Sequence, residues 1–291
     1  MSISMFAIVG AIALNFLLVL AHSPVYDVKI VPETCKKSMP VQTNYKPLGT
    51  TRKLGDMDIY ETPYRNKASQ VVLFVYDIFG FHNNTKQNID NLAAEGNFRI
   101  VMPDYLRGKP LTESSFPPKD EKELQNYLES HSWEKHIKKD TMAVLEEYKK
   151  VTGQNKFGMF GNCWGGRMTV EAASELPEIK ASAIVHPSSV TTEMAKKVKA
   201  PLFLLPSQDE PDMIPFFNIL RDRLGRCNTG HRRFVDAPHG FMGARSNYSD
   251  PAQVKAIKET TAIISKFFQE ELSINSTSLR KCSNYRSPGL A

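Results

Sequence analysis

The chain lacks the features that mark several specialised classes. Among its 291 residues only four are cysteine and two tryptophan. Cys35, Cys163, Cys227 and Cys282 form neither a Cys-x-x-Cys pair nor a zinc-knuckle spacing, which excludes a dithiol redox motif and a disulfide-dense scaffold. Dense basic patches are missing too. The +6 charge is 37 Lys and Arg against 31 Asp and Glu, and half of the excess is Arg280, Lys281 and Arg286 in an acid-free C-terminal stretch. Nucleic acid is therefore not an expected partner. With 41% hydrophobic residues and no periodic glycine, neither disorder nor a collagen-like repeat fits, and a full core can be buried.

One long apolar run is present. Residues 5–20 carry no charge, and Val19 and Ala21 place small residues three and one positions before His22. This reads as a secretory signal peptide, residues 1–21; the usual N-terminal Lys or Arg is missing and an apolar run of about 16 residues is long for such a segment, which leaves an uncleaved anchor as the alternative. No second run of spanning length follows, so no stable membrane association is expected once the signal is removed. Sequons at Asn83, Asn247 and Asn275 suit a secreted glycoprotein. If Cys163 is reserved for chemistry, one disulfide among Cys35, Cys227 and Cys282 remains plausible. Cys35 with Cys282 would tie the two ends together, but sequence alone does not choose the pairing.

The remainder divides into an N-terminal extension (22–49), one catalytic domain (50–271) and a polar, flexible tail (272–291). Residues 49–61 suggest two half-exposed strands. Residues 70–76 are a continuous apolar run, as expected of a strand covered on both faces. Further strands are predicted at 98–103, 157–160, 181–185, 201–205 and 232–235. Helices are predicted at 85–95 (closed by Gly96), 122–130, 133–151, 211–224 and 251–271, the last capped by Asp250 ahead of Pro251. Buried strands alternating with helices specify an α/β fold: a mostly parallel central sheet with helices on both faces and its site at the carboxyl ends of the strands.

The motif that carries chemistry follows the 157–160 strand: Gly161-Asn162-Cys163-Trp164-Gly165-Gly166, then a helical pattern. A nucleophile on a strained strand-to-helix bend needs small residues two positions to either side, and both are glycine here. The Trp164 amide at the helix start can donate to an oxyanion. Such an elbow calls for an acid and then a histidine farther along, each after a strand. Asp209 and His239 occur in that order, with Glu210 and Asp212 as rival acids and His186 and His82 as rival bases. His186 follows a strand and is a candidate to line the substrate pocket.

Taken together, Tyr76-Asp77-Ile78-Phe79-Gly80, Pro103-Asp104-Tyr105-Leu106-Arg107-Gly108, the cysteine elbow, Asp209 and His239-Gly240-Phe241 resemble the dienelactone hydrolase (carboxymethylenebutenolidase) family over roughly residues 50–270. The resemblance implies an α/β-hydrolase that opens small esters or lactones through a thiolester on Cys163, without a cofactor or metal, completed by Asp209 and His239. It further implies that Asp77, where the bacterial enzymes carry Glu, poises the resting thiol, and that the Ile78 amide is the second oxyanion donor. Arg107 lies near a substrate-carboxylate position of the family, one residue out of step. Arg245 falls farther beyond His239 than the family pattern has it, so substrate identity does not carry over. A competing reading is a small-molecule-binding protein that keeps the fold without turnover. A glutamine amidotransferase is disfavoured by Phe241, where that class carries a carboxylate.

Overall fold

The computed structural model describes residues 38–64 and 70–273. The signal-like run, most of the 22–49 extension, the tail beyond Ser273, Cys35, Cys282 and the Asn275 sequon lie outside the described residues.

Eight strands form one sheet in the order β1-β2-β4-β3-β5-β6-β7-β8. They are β1 (Thr50–Leu54), β2 (Met57–Glu61), β3 (Val71–Val75), β4 (Arg99–Pro103), β5 (Phe157–Asn162), β6 (Ile179–Val185), β7 (Leu202–Leu205) and β8 (Thr229–His231). β1, β2 and β4 pair antiparallel; β4, β3, β5, β6, β7 and β8 run parallel. Every residue of β3, β4, β5 and β7 is buried; β3 and β7 are unbroken apolar runs, while Arg99 of β4 is buried through its pair with Glu61 and Asn162 of β5 through its bond to Met242 O.

The helices are α1 (Asn83–Gly96), α2 (Glu121–Ser130), α3 (Lys138–Thr152), α4 (Trp164–Glu175), the single turn α5 (Thr192–Ala195), α6 (Ile214–Leu224) and α7 (Pro251–Leu272), with a π-helical turn at Trp133–Ile137 ahead of α3. A Cβ placed on Gly158 would meet Phe268 and Leu272 of α7. One placed on Gly161 would overlap Gly165 of α4. Positions three apart on a strand face opposite ways, so α4 and α7 cover opposite faces of β5. The side chains of Phe160 and Phe268 are almost fully buried with ring centroids 6.3 Å apart, and each such ring contributes about 1.5–3 kcal/mol by burial.

Four sequence expectations change. β2 is not half-exposed: Met57, Ile59 and Tyr60 are buried, and the Tyr60 hydroxyl donates to Asp90 of α1. Only β1 behaves as a half-exposed strand. Asn97 rather than Gly96 closes α1, adopting φ 56° with its amide on Ala93 O. The last strand lies at 229–231 rather than 232–235, because Gly230 lets β8 pass against the Phe203 ring, which a Cβ would strike. Arg232 N and Phe234 N still bond Leu204 O and Pro206 O, while Val235 points outward, 63% exposed. Finally, the 133–151 helix divides into a π-turn and α3. Among the described residues no helix is long and apolar enough to cross a membrane.

Candidate active site

Parallel strands bring the loops after β3, β5, β6, β7 and β8 to one edge of the sheet. Cys163 stands at the end of β5 with φ 53° and ψ −119°, as the residue that caps α4. This left-handed backbone is unusual outside glycine, and such strain is characteristic of functional positions. The glycines around it are sterically required: a Cβ on Gly161 would overlap Gly165 O, and one on Gly165 would overlap Val75 O. The thiol side chain is buried. Its own amide donates to Val185 O, and its carbonyl accepts from Gly166 N and Ser188 N. Asn162 Nδ2 donates to Met242 O at 2.5 Å, tying the elbow to the loop that carries the histidine.

His239 is almost fully buried beside the thiol. The acid that meets it is Glu210, not the expected Asp209: Nδ1 lies 2.6 Å from Glu210 Oε1, and both side chains are wholly buried. Asp209 instead accepts the backbone amide of His239 at 2.7 Å, which fixes the loop but not the ring. The turn after β7 explains the exchange. Ser207 donates its amide and its hydroxyl to the Glu210 carboxylate, drawing the longer side chain inward, and Asp209 is held on the outer side with its amide on Ser207 Oγ. Asp212 is exposed and accepts from Ile214 N at the start of α6. His82 caps α1 by accepting from Asn84 N. Neither takes part in the site.

His239 Nε2 finds no oxygen or nitrogen partner among the described residues, and its electrostatic partner is the Cys163 sulfur. Burial pushes the imidazole towards its neutral form, but the negative charges of Cys163 and Glu210, with the hydrogen bonds they accept, outweigh burial and raise its pKa to about 10. The arrangement is thus suited to a thiolate–imidazolium pair.

His186 follows β6 at φ 35°, wholly buried, its ring edge-on to His239 at 4.8 Å and near Phe241 at 5.5 Å. Burial and the adjacent His239 charge hold it well below the usual histidine range, so it is neutral. Neither of its ring nitrogens has a hydrogen-bond partner among the described residues. Two residues on, Ser188 Oγ lies 3.6 Å from Cys163 Sγ. Sequence reasoning missed Ser188. The two non-glycine positive-φ residues that bracket it, His186 and Ser189, are visible only in three dimensions.

Asp77 is buried at the end of β3. Its Oδ1 accepts from Phe79 N and its Oδ2 from Ala244 N, so it fastens the loop after β3 to the loop after His239. Gly243 packs directly on Oδ2, with no room for a Cβ. Burial and then the Cys163 charge raise the Asp77 pKa. Among the described residues the loop and cap hydrogen bonds leave the amides of Ile78 and Trp164 uncommitted.

The arginines do not form a substrate clamp. Arg107, at φ 51°, pairs with Asp56 at 3.1 Å and Asp140 at 2.9 Å and donates to Asp104 O, so the expected substrate-binding role gives way to a structural one. Arg245 is buried over Phe79, with Nε on Ser38 O at 2.5 Å. Cys227 is disulfide-bonded, with its partner outside the described residues, while Cys163 keeps its thiol. Of the three cysteines among which the sequence left the pairing open, Cys227 is one that takes part in a bridge. Among the described residues no group of His, Cys, Asp and Glu could hold a metal ion.

This sheet and strand-to-helix elbow define an α/β-hydrolase. In fold the chain is similar to a dienelactone hydrolase structure from Klebsiella pneumoniae (TM-score 0.53, 19% identity, covering 74% of this chain and 93% of that one) and to an esterase of Pyrococcus furiosus (TM-score 0.52, 13% identity, covering 81% and 99%). The sequence profile of the dienelactone hydrolase family matches residues 59–272, and the chain belongs to that family of hydrolases. It is 30% identical to Dienlactone hydrolase 1 of Gibberella moniliformis over 227 residues (72% of this chain, 83% of the relative). It is 26% identical to a carboxymethylenebutenolidase homolog of Rattus norvegicus over 230 residues (77% and 92%). An AIM2 family protein of Schizosaccharomyces pombe is 30% identical over 212 residues (69% and 82%).

Proposed function

We infer that the protein is a secreted hydrolase of small esters or lactones that works through a thiolester on Cys163, with His239 as acid and base and Glu210 as the carboxylate that orients it. The observation that carries this reading is a cysteine in left-handed backbone at the head of α4, electrostatically coupled to a histidine whose far nitrogen meets a buried glutamate.

The thiolate attacks the substrate carbonyl carbon, a carbon–sulfur bond forms, and the carbonyl electron pair moves onto oxygen. The Ile78 and Trp164 amides receive that charge, and the position of Trp164 at the start of α4 adds the positive end of the helix dipole. Collapse expels the alkoxide, which takes the proton from His239 and leaves as alcohol. Neutral His239 then accepts a proton from water as the oxygen attacks the thiolester. Collapse of the second intermediate releases the acid and restores the thiolate–imidazolium pair. Glu210 stays on Nδ1 throughout and fixes the ring tautomer. Asp77, by joining the loops that carry Ile78 and His239, positions the oxyanion donor against the base, and the His186 ring contributes to the wall of the substrate site.

Secretion is supported by the apolar run at 5–20 with its small-residue cleavage pattern, by the sequons, and by a disulfide at Cys227, a bond that oxidising compartments sustain. The test of the function is hydrolysis of p-nitrophenyl esters by the purified protein. Cys163→Ala is expected to abolish it; rates no higher than the buffer background both before and after substitution would assign the fold to binding instead.

A further inference from the structure

The two arginines that could have met a substrate carboxylate are both engaged, Arg107 by Asp56 and Asp140, and Arg245 by Phe79 and Ser38 O. Beside the elbow lies a cavity of about 320 Å³, within the range of small-molecule sites. Its apolar wall is Leu124 and Leu128 of α2 with Trp164 and Met168 of α4. Trp164 follows the nucleophile directly. Ser189, also in the lining, follows the serine whose hydroxyl lies 3.6 Å from Cys163 Sγ. The cavity lining thus includes the chain neighbours of Cys163 and of the serine beside its sulfur.

Charge narrows the occupant. The cavity is bordered by two carboxylates, Glu121 and Glu129, against one guanidinium, Arg167. That guanidinium already faces Glu171 at 3.8 Å and donates to Ser189 O at 3.3 Å. A substrate carboxylate placed here would meet more negative than positive charge, whereas a hydrocarbon chain would leave water for the leucine, tryptophan and methionine surfaces.

We propose that this cavity receives the acyl chain of an uncharged, medium-length ester, and that the protein discriminates against esters and lactones bearing a carboxylate. This rests on Cys163 as the nucleophile and goes beyond it by naming the substrate class.

The test compares kcat/KM of the full-length protein for p-nitrophenyl acetate, butyrate, hexanoate and octanoate, and for the p-nitrophenyl monoester of adipic acid, which matches hexanoate in length but ends in a carboxylate. Hexanoate is expected to exceed both acetate and the adipate monoester by at least about tenfold. Leu128→Trp fills the cavity and should lower the hexanoate-to-acetate ratio at least about fivefold. Gln125→Trp does so from an exposed position that leaves the core untouched. Glu129→Lys should raise the ratio of adipate monoester to hexanoate. A flat or inverted chain-length profile, or a preference for the adipate monoester, with all turnover still lost in Cys163→Ala, overturns the proposal and leaves the cysteine hydrolase standing. Turnover that survives Cys163→Ala, or no turnover of any ester, overturns both.

Discussion

The two neighbouring carboxylates after β7 allow a discriminating test, because the geometry gives them different roles one residue apart. Glu210→Gln removes the charge that lies 2.6 Å from His239 Nδ1 where both side chains are wholly buried. Glutamine can still accept from Ser207, so the turn should keep its shape. The ring, however, loses its ionic partner and can meet an amide N–H instead, which selects the wrong tautomer. Breaking a buried pair costs about 3–5 kcal/mol of folding stability, while a ring held in the wrong tautomer predicts a fall in kcat/KM of up to about 10,000-fold, or about 5 kcal/mol of transition-state stabilisation at about 1.4 kcal/mol per factor of ten. In Asp209→Asn, by contrast, the amide oxygen still accepts from the His239 backbone, as the carboxylate does at 2.7 Å. The loss there is that of one weakened hydrogen bond, about 0.5–1.5 kcal/mol, and thus at most about tenfold. Steady-state kinetics on p-nitrophenyl hexanoate, with thermal melts to confirm folding, separates the two. A collapse in Asp209→Asn alongside near-normal Glu210→Gln would refute the assignment of Glu210.

The raised pKa of His239 gives a second prediction: ring-nitrogen NMR should show a protonated imidazole up to a titration near pH 10, and Cys163→Ala should shift that titration downward by removing the leading attractive charge. The sign for stability follows. The contribution of the imidazolium to folding is fully present below the ordinary histidine pKa of about 6.5 and is lost as pH rises through about 10, so denaturant midpoints should fall on that alkaline side. Substituting Gly165 by Ala drives a methyl into Val75 O, and a loss of about 3 kcal/mol or more in urea unfolding is expected; a neutral result would show that the elbow is looser than its geometry implies. His186→Phe keeps the ring contacts with His239 and Phe241 and removes two buried nitrogens without partners. Stability should hold within about 1 kcal/mol while kcat/KM falls, and unchanged kinetics would reduce His186 to packing.

What could be read in the sequence depended on how local the deciding physics was. The β3 and β5 strands announced themselves because a strand buried on both faces has no polar positions to interrupt the run, and the elbow glycines did so because the bend excludes Cβ atoms at those offsets. β8 was not legible: Thr229-Gly230-His231 has no apolar signal, and the need for glycine arises from Phe203 on the adjacent strand. The carboxylate that meets the His239 ring was misplaced by one residue. Asp209 and Glu210 both follow the strand, and the choice between them is made by Ser207, whose amide and hydroxyl turn the longer side chain inward. Arg107 looked available for substrate because its partners Asp56 and Asp140 are 51 and 33 residues away in the chain.

The proposed hydrolysis requires a covalent bond from substrate to sulfur. Intact-mass spectrometry of protein quenched during turnover of p-nitrophenyl hexanoate, followed by peptide mapping, should find a hexanoyl adduct on Cys163 that hydroxylamine removes and that Cys163→Ala lacks. Hydrolysis proceeding with no adduct at that residue, or with the acyl group on a serine such as Ser188, would contradict it.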